Sequence, residues 1–448
     1  MGIDNSSQKY QEALDYIYSF VDYSRTHQQN LAPENFNLAR VRDLMTLLGN
    51  PERAYTTIHV AGSKGKGSVC AFCASALEVQ GYKVGLYTSP HMEKFNERIQ
   101  INGRQIEDDE LVALVEEIKP HVAKIPRITT FEIVTALGFL YFQQKRIDIG
   151  VIEVGLGGRL DATNVIMPKV SVITQLYLEH TFILGNTLTE IAEEKGGIIK
   201  PNIPVVISTQ KDEAEKKLLK IASMHHSPVH QIGKDYIYQI DGYNLNRQSF
   251  SIINNKKKSK RIDLTIPLLG DFQVENAATA FAALDVLRDS DVEITDNAIK
   301  KGFKDAVWPG RFEILQASPP IIVDSAHNND AIINLIKTVR KYFPSKSIVM
   351  VFGVSADKDV IGMLSELEPY VQQVICSQST HPRAMDSDQL CEVARKLWDN
   401  AIAVKDVEHA FKTAINMAKG ERLVLVTGSI FVVAGAREWW RKQKTSSV

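Results

Sequence analysis

Residues 56–68, TTIHVAGSKGKGS, decide the fold of this chain. Residues 57–60 are β-branched and apolar, which predicts a short strand, and the pattern becomes helical from Val69 onward. The glycines between them allow a tight turn that aims backbone N–H groups and a helix N-terminus at an anion. The sequence therefore predicts a phosphate-binding loop made of Gly62, Ser63, Lys64, Gly65, Lys66, Gly67 and Ser68.

Lys66 is the residue of this loop that would reach the terminal phosphates of a nucleotide. The match to the usual phosphate-loop pattern is imperfect, because Val60 stands at the first glycine position and Gly67 follows Lys66 in place of a hydroxyl residue. The alternative is a tight strand-to-helix turn with an exposed lysine. The strand–turn–helix context favours the phosphate loop.

Composition and charge exclude several classes of protein. The chain has 448 residues, 44% of them hydrophobic and 23% charged, which is typical of a globular protein with two or three domains. Its net charge of -1 offers no basic field for nucleic acid or an anionic membrane. The polar N-terminus and the lack of a long apolar run predict a cytoplasmic protein.

Strands and helices alternate through most of the chain, which predicts an α/β fold with parallel sheets. Residues 147–156 form a nearly unbroken apolar run, as a strand buried on both faces does. Residues 229–266 change to short strands and turns, which predicts a small β insertion. Because WPGR at 308–311 is the best boundary, we expect a phosphate-loop domain at 1–307 and a second doubly wound, Rossmann-like domain at 308–448.

Polar residues mark the ends of several predicted strands in the first domain. Lys66, Ser89, Glu153 and His180 each stand at or just after such an end. Since ligands bind beyond the carboxyl ends of parallel strands, we expect these residues to converge. Hydroxyl, carboxylate and imidazole groups beside a phosphate loop suit magnesium bound to ATP, although a histidine taken alone is more often a structural hydrogen-bonding residue.

Lys195 interrupts the apolar stripe of the helix predicted over 188–199. Its i−4 and i−3 positions are Ile191 and Ala192, so the helix supplies no acid partner on that side. The pattern predicts that Lys195 points inward. The alternative is a side chain that extends past its apolar neighbours to water.

Longer motifs resemble the folylpolyglutamate synthase/dihydrofolate synthase family of the Mur ligase superfamily. They follow the order of that family from about residue 40 to the C-terminus. The motifs lie at residues 62–68, 87–91, 95–99, 153–164, 194–195, 276–278, 309–311, 324–328 and 356–359.

This resemblance implies an ATP-binding N-terminal domain and a C-terminal glutamate-ligase domain. The enzyme would phosphorylate a carboxylate of dihydropteroate or of a folate, and the amine of L-glutamate would attack the acyl phosphate. ADP and phosphate would be released. The resemblance also implies two magnesium ions and a monovalent cation such as K+ as cofactors, small-molecule substrates only, and a monomer.

The resemblance further implies roles for individual residues. Lys66 would hold the β- and γ-phosphates, Ser89 and Glu153 a first magnesium ion, and Glu153 with His180 a second, beside a carbamylated Lys195. Asn276, Arg311 and Asp324 would contact the nucleotide, and His327 would lie near the incoming glutamate. The loop that carries Ser89, His91, Phe95 and Arg98 would lie near the folate.

Four departures from the family pattern lie beside these positions. The phosphate loop has Ser63-Lys64 where the family has Thr-Asn, and Glu179 replaces an aspartate before His180. Ser325 replaces a glycine, and Phe272 replaces a histidine. They leave the acceptor and the nucleotide contacts open.

The sequence leaves two alternatives to a folate ligase. Cell-wall amino-acid ligases of the same superfamily carry a nucleotide-sugar domain before the phosphate loop, and the 57 residues before Ile58 leave no room for one. A non-catalytic ATP-binding protein would have no evident use for His180 together with an inward Lys195.

Overall fold

The computed structural model describes residues 5–22, 37–258 and 260–445. The chain divides into two compact units. The first comprises Met1–Asp241, Ser249–Ile266 and Gln273–Ala306, and the second comprises Gly242–Gln248, Pro267–Phe272 and Val307–Val448. In the part of the chain that is described, no helix is long and apolar enough to cross a membrane.

The first unit contains the strands around the phosphate loop. They are β1 Thr56–Ala61, β2 Val84–Tyr87, β3 Ile99–Ile101, β4 Arg104–Gln105, β5 Ile149–Glu153, β6 Val170–Ile173, β7 Val205–Ile207 and β8 Val229–Gln231. Their order in the sheet is β4-β3-β2-β5-β1-β6-β7-β8. The strands from β2 to β8 in this order are parallel, and β3 and β4 add an antiparallel edge.

The predicted β insertion is present as a separate sheet. Its strands are β9 Tyr236–Tyr243, β10 Gln248–Asn254 and β11 Ile262–Ile266, in the order β11-β10-β9.

Helices follow most strands of the first unit. They are α1 Asn5–Tyr18, α2 Leu38–Leu47, α3 Lys66–Gln80, α4 Asp108–Val122, α5 Thr130–Gln144, α6 Thr181–Leu184, α7 Leu188–Gly196, α8 Asp212–Met224, α9 Asp271–Arg288 and α10 Asp296–Asp305. Every residue of β5 is buried, as its unbroken apolar run predicts. In the register of β1 and β5, Val60 faces Glu153, which puts the end of β5 beside the start of the phosphate loop.

The second unit is built on a sheet of its own. Its strands are β12 Glu313–Ala317, β13 Pro320–Val323, β14 Ile348–Phe352, β15 Val371–Cys376, β16 Ile402–Ala403 and β17 Leu423–Thr427, in the order β12-β13-β17-β14-β15-β16. All pairs are parallel except β12 with β13. The accompanying helices are α11 Asn329–Tyr342, α12 Val360–Leu367, α13 Ser387–Ala394, α14 Val407–Ala418 and α15 Ile430–Thr445. This is the second α/β domain fold expected from the sequence.

Helix α10 is an element that is absent from the sequence-based prediction above. It packs so closely on α3 that a Cβ at Gly302 would lie 2.4 Å from the Cα of Ala76. The hydroxyl of Ser75 also donates to the Gly302 carbonyl at 2.7 Å. Helix α3, which begins at the phosphate loop, therefore packs against α10 at a point where only glycine fits.

Candidate active site

The phosphate loop joins β1 to α3, and α3 begins at Lys66. Gly62 has a φ of 149° and Gly65 a φ of 89°. A Cβ at Gly62 would lie 1.8 Å from Thr174 Oγ1, and one at Gly65 would lie 2.1 Å from Asn276 Oδ1. Backbone shape and close contact both require these glycines. The second contact brings Asn276 of α9 against the loop.

Residues after β6 hold the phosphate loop in place by hydrogen bonds. The N–H groups of Ser63 and Lys64 donate to the Gln175 carbonyl at 3.0 and 3.2 Å. The Ser63 hydroxyl donates to the Tyr177 carbonyl at 3.1 Å and accepts from the Tyr177 N–H at 3.0 Å. The N–H groups in the first turn of α3 have no partner within the helix by its geometry, so they are the donors that this arrangement presents to an anion.

Two lysines share one carbonyl oxygen of the loop. Lys66 Nζ donates to the Gly62 carbonyl at 3.1 Å, and Lys195 Nζ donates to the same oxygen at 2.9 Å. Lys195 lies on α7 with only 2% of its surface exposed. The inward direction predicted from the apolar stripe is confirmed, and the alternative of a lysine reaching water is wrong.

Glu179 supplies the acid partner that α7 lacks. Its carboxylate lies 3.2 Å from Lys195 Nζ and 3.6 Å from Lys64 Nζ. Burial would raise the pKa of Glu179, but the charges of Lys195 and Lys64 outweigh it and hold that pKa well below its usual range. Burial lowers the pKa of Lys195, and the attraction of Glu179 offsets this only in part. The lowered pKa of Glu179 favours its carboxylate, whereas the lowered pKa of Lys195 disfavours its ammonium form, because the single Glu179 charge does not fully offset burial and the nearby charge of Lys66.

In the sequence, Glu179 and Lys64 stand out only as separate departures from a family pattern. The structure joins them in one ion-pair cluster with Lys195. In this arrangement Lys195 is ion-paired as an ammonium group, and a carbamate on it would stand against the Glu179 carboxylate. Carbamylation stays a prediction that requires cations to offset this repulsion.

Glu153 and Ser89 meet at the ends of the adjacent strands β5 and β2. Glu153 is 5% exposed, and its Oε2 accepts from the Ser89 N–H at 3.1 Å. A buried carboxylate in contact with the backbone of a serine brings together two residues whose side-chain oxygens are of the hard type that magnesium prefers. No three His, Cys, Asp or Glu side chains in the described residues form a metal cluster, so magnesium here would also need phosphate oxygens and water, which it commonly uses.

His180 lies on the loop between β6 and α6. It has a φ of 51° and caps the N-terminus of α6. It directly follows Glu179, and its charge is among those that lower the pKa of that residue. His180 is therefore part of the same cluster, while its role as a metal ligand stays a prediction.

The segment predicted to meet the folate forms a compact loop before β3. Arg98 Nε donates to His91 Nδ1 at 2.9 Å, and the Arg98 guanidinium lies 5.7 Å from the centre of the Phe95 ring. Glu97 accepts from the N–H groups of residues 92, 93 and 94 at 2.6, 2.9 and 2.9 Å. The structure therefore brings His91, Phe95 and Arg98 together.

Asp161 closes the glycine-rich segment that follows β5. It accepts from the N–H groups of Gly155 and Leu156 at 3.1 and 2.8 Å and from the Thr163 hydroxyl at 2.5 Å. His59 Nε2 lies 2.9 Å from the same hydroxyl, and burial keeps the pKa of His59 well below its usual range, so its imidazole is neutral. Sequence reasoning quoted Asp161 in a motif but gave neither residue a role.

In the second unit, Asp324 organises the segments around it. Its carboxylate accepts from the Phe312 N–H at 2.7 Å and from the Ala326 N–H at 2.8 Å. This places Arg311 on a backbone held beside Asp324. His327 Nδ1 lies 2.9 Å from the Ser325 carbonyl. Two neighbouring segments therefore carry these residues. Arg311 lies just before β12, and Asp324 and His327 lie just after β13.

Several buried polar atoms at the carboxyl ends of β13, β14 and β15 have no hydrogen-bond partner among the described residues. They are Ser325 Oγ, Asn329 Oδ1, both carboxylate oxygens of Asp357, Gln378 Oε1 and Arg383 Nε. Asp357 has an ion-pair contact with Arg383 Nη1 at 3.5 Å. Buried polar atoms without partners are rare in folded proteins and need a specific explanation, such as a ligand.

Comparison with known proteins assigns both units to one class. Residues 60–284 match the Mur ligase middle domain, and residues 310–430 match the Mur ligase glutamate ligase domain. Together with the phosphate loop and the two α/β sheets, these matches define a Mur-type ligase. More narrowly, the chain belongs to the folylpolyglutamate synthase/dihydrofolate synthase family.

The family assignment rests on long alignments. The chain is 36% identical over 411 residues to a dihydrofolate synthase/folylpolyglutamate synthase of Bacillus subtilis, covering 90% of this chain and 94% of that protein. A solved Mycobacterium tuberculosis folylpolyglutamate synthase, complexed with ADP, has a TM-score of 0.87 at 29% identity, with 97% and 99% covered. Escherichia coli FolC, in complex with DHPP and ADP, has a TM-score of 0.85 at 30% identity, with 99% and 100% covered.

Proposed function

We propose that this chain is an ATP-dependent ligase that joins L-glutamate to a folate, to dihydropteroate, or to both. The observation that carries the proposal is the arrangement at the phosphate loop. Lys66 stands at the N-terminus of α3, and the oxygen ligands of Glu153 and Ser89 lie at the ends of two strands of the same sheet. Such a site suits the transfer of a phosphoryl group.

The reaction must bring two anions together in line, the acceptor carboxylate and the γ-phosphate. The first turn of α3 and Lys66 would hold the phosphates, and Ser89 with Glu153 would hold magnesium, which would offset the repulsion between the anions. We place a second magnesium ion near Glu153 and His180, and leave a monovalent cation such as K+ as a further candidate cofactor.

We assign ATP binding to residues 1–307 and glutamate selection to residues 308–448. The unpartnered polar atoms after β13, β14 and β15 support the second assignment, because an amino acid brings both donors and acceptors. His327 stands in this group of segments, and Arg311 and Asp324 would contact the nucleotide. We further expect a cytoplasmic monomer that acts on small molecules.

The His91, Phe95 and Arg98 loop is the proposed acceptor site. The Arg98 guanidinium and the Phe95 ring, which are only 8% and 4% exposed, pair a positive charge with an aromatic face beside the partly exposed His91. That combination suits an acceptor that has an aromatic ring system and a carboxylate.

The test is ADP release with dihydropteroate and tetrahydrofolate offered separately, each with and without L-glutamate. We expect release that requires glutamate and at least one of the two acceptors. ATP binding without turnover under all conditions would favour a non-catalytic binding protein. Glutamate-independent release, or activity only with another carboxylate acceptor, would favour a related ligase of different specificity.

A further inference from the structure

We propose that Tyr10 of α1 is a positioning residue for the acceptor loop, acting through Asn96. The acceptor loop is defined here as residues 89–98. The proposal rests on the proposed function, because it gives that loop the task of binding the acceptor.

Asn96 is the buried centre of this connection. Only 1% of its surface is exposed. Its Nδ2 donates to the Ile106 carbonyl at 2.6 Å and to Asp108 Oδ1 at 2.9 Å, and its Oδ1 accepts from the Tyr10 hydroxyl at 2.6 Å. Donors and acceptors on both sides determine the orientation of the amide.

Asn96 lies inside the 3-10 turn Phe95–Arg98, between the two residues that form the stacked pair of the loop. A shift of Asn96 would move the Phe95 ring and the Arg98 guanidinium, and with Arg98 its partner His91. The Tyr10 hydroxyl therefore acts on the acceptor residues without touching the place where the acceptor would bind.

Helix α1 stays anchored when the Tyr10 hydroxyl is removed. The Thr130 hydroxyl donates to the Ile17 carbonyl at 2.9 Å, and the Tyr18 ring packs edge-on against Phe95 at 6.2 Å. Burial, with the nearby Asp108 charge, raises the pKa of Tyr10 to about 12, so the hydroxyl keeps its proton throughout the usual assay range. The Tyr10→Phe variant thus removes one hydrogen bond and leaves the helix in place.

The first experiment compares steady-state kinetics of Tyr10→Phe with those of the wild type. We expect the KM for the acceptor to rise about fivefold or more, the scale of one lost buried hydrogen bond, with kcat and the KM for ATP unchanged within about twofold. Tyr16→Phe is the matched control, because Tyr16 lies on the same helix and contacts Phe20 and Lys119 through its ring. An unchanged acceptor KM, or an equal rise in the KM for ATP, would overturn the proposal.

The second experiment tests the route through Asn96. In an Asn96→Ala background, the Tyr10→Phe change should have no further effect on the acceptor KM. A full additional effect in that background would show that Tyr10 acts by another path, and would refute the proposal.

The third experiment needs no substrate and separates this proposal from the proposed function. Hydrogen–deuterium exchange of the free protein should be faster at the amides of residues 92–98 in Tyr10→Phe, and unchanged there in Tyr16→Phe. Unchanged exchange in Tyr10→Phe would refute the positioning role even in an active ligase. If the wild type ligates glutamate to neither acceptor, the proposed function fails, and with it the acceptor role of Tyr10, whatever the exchange shows.

Discussion

The phosphate loop of the first unit and the carboxyl edge of the second sheet differ in how their buried polar groups are paired. At the loop, Glu179 neutralises Lys195 and Lys64, and Glu153 accepts from Ser89. At the edge of the second sheet, Asp357 and Ser325 carry buried oxygens without hydrogen-bond partners in the described chain. The charged groups of the first site are paired with one another, although Thr174 Oγ1 beside Gly62 has no partner among the described residues. At the second site, Asp357 contacts Arg383, but several polar atoms lie together without hydrogen-bond partners.

Because of this difference, we expect substitutions at the two sites to have different effects on stability and on ligand affinity. Removing a charge from the loop cluster should change stability as well as activity, because it leaves another buried charge without its partner. Removing an unpartnered group from the second sheet should change ligand affinity and leave stability almost unaffected. Lys66 is the informative exception at the loop, since its Nζ contacts the Gly62 carbonyl and forms no ion pair among the described residues.

The largest effect is expected for Lys66→Ala. Its Nζ contacts the Gly62 carbonyl, so its loss should remove one preorganised donor to the phosphates and lower kcat by about 10²–10³. The unfolding free energy should change little. A purified variant with near-normal kcat would contradict the phosphate-loop assignment.

Lys195→Ala should lower activity by about 10–100-fold, because Lys195 holds the Gly62 carbonyl of the phosphate loop and the Glu179 carboxylate, the residue before His180. If the active form is the carbamate, short carboxylates such as formate should partly restore activity, and Lys195→Arg should remain as impaired as the alanine variant. Full activity without additive, or a bare amine in the structure of the metal-bound enzyme, would exclude the carbamate.

Glu179→Gln should lower the unfolding free energy, since it removes the partner of a buried ammonium. Breaking such a pair costs about 3–5 kcal/mol, and we expect the lower end because the Glu179 side chain is 11% exposed. The pKa of Glu179 is lowered in the folded state, so its contribution is complete above its ordinary pKa of 4.5 and is lost as the pH falls below that value.

Urea unfolding of both proteins checks this dependence. The difference between wild type and variant should be constant from about pH 7 to about pH 5 and should shrink toward about pH 4. A difference that grows on acidification would contradict the ion-pair assignment.

The smallest effect is expected for Ser325→Ala. Its hydroxyl has no hydrogen-bond partner among the described residues, so the unfolding free energy should stay within about 0.5 kcal/mol, while the KM for glutamate should rise about 2–10-fold. Ser171→Ala is the matched comparison, because the buried Ser171 hydroxyl donates to the Ile198 carbonyl at 2.9 Å. That variant should lose about 1 kcal/mol of stability and keep its glutamate KM. Equal losses of stability in both variants would remove the contrast between the two regions.

The features that local sequence predicts well are those with short-range causes. The strand–turn–helix at the phosphate loop, the buried strand β5 and the inward Lys195 all follow from the periodicity of neighbouring residues. Helix α10 was missed although its segment has a helical signal: Thr295 caps its N-terminus, and its buried residues 298, 299, 302 and 303 recur at helical spacing. The pairing of Lys195 with Glu179 joins residues 16 positions apart on different elements, which no helical period reveals.

The Gly62 carbonyl accepts hydrogen bonds from both Lys66 and Lys195. This oxygen therefore has a second donor when one of the two lysines leaves it. When Lys66 turns from this oxygen to a phosphate, Lys195 still satisfies it. The exchange would leave the Gly62 carbonyl with a donor, so turning Lys66 to a nucleotide would not cost the hydrogen bond of a buried acceptor.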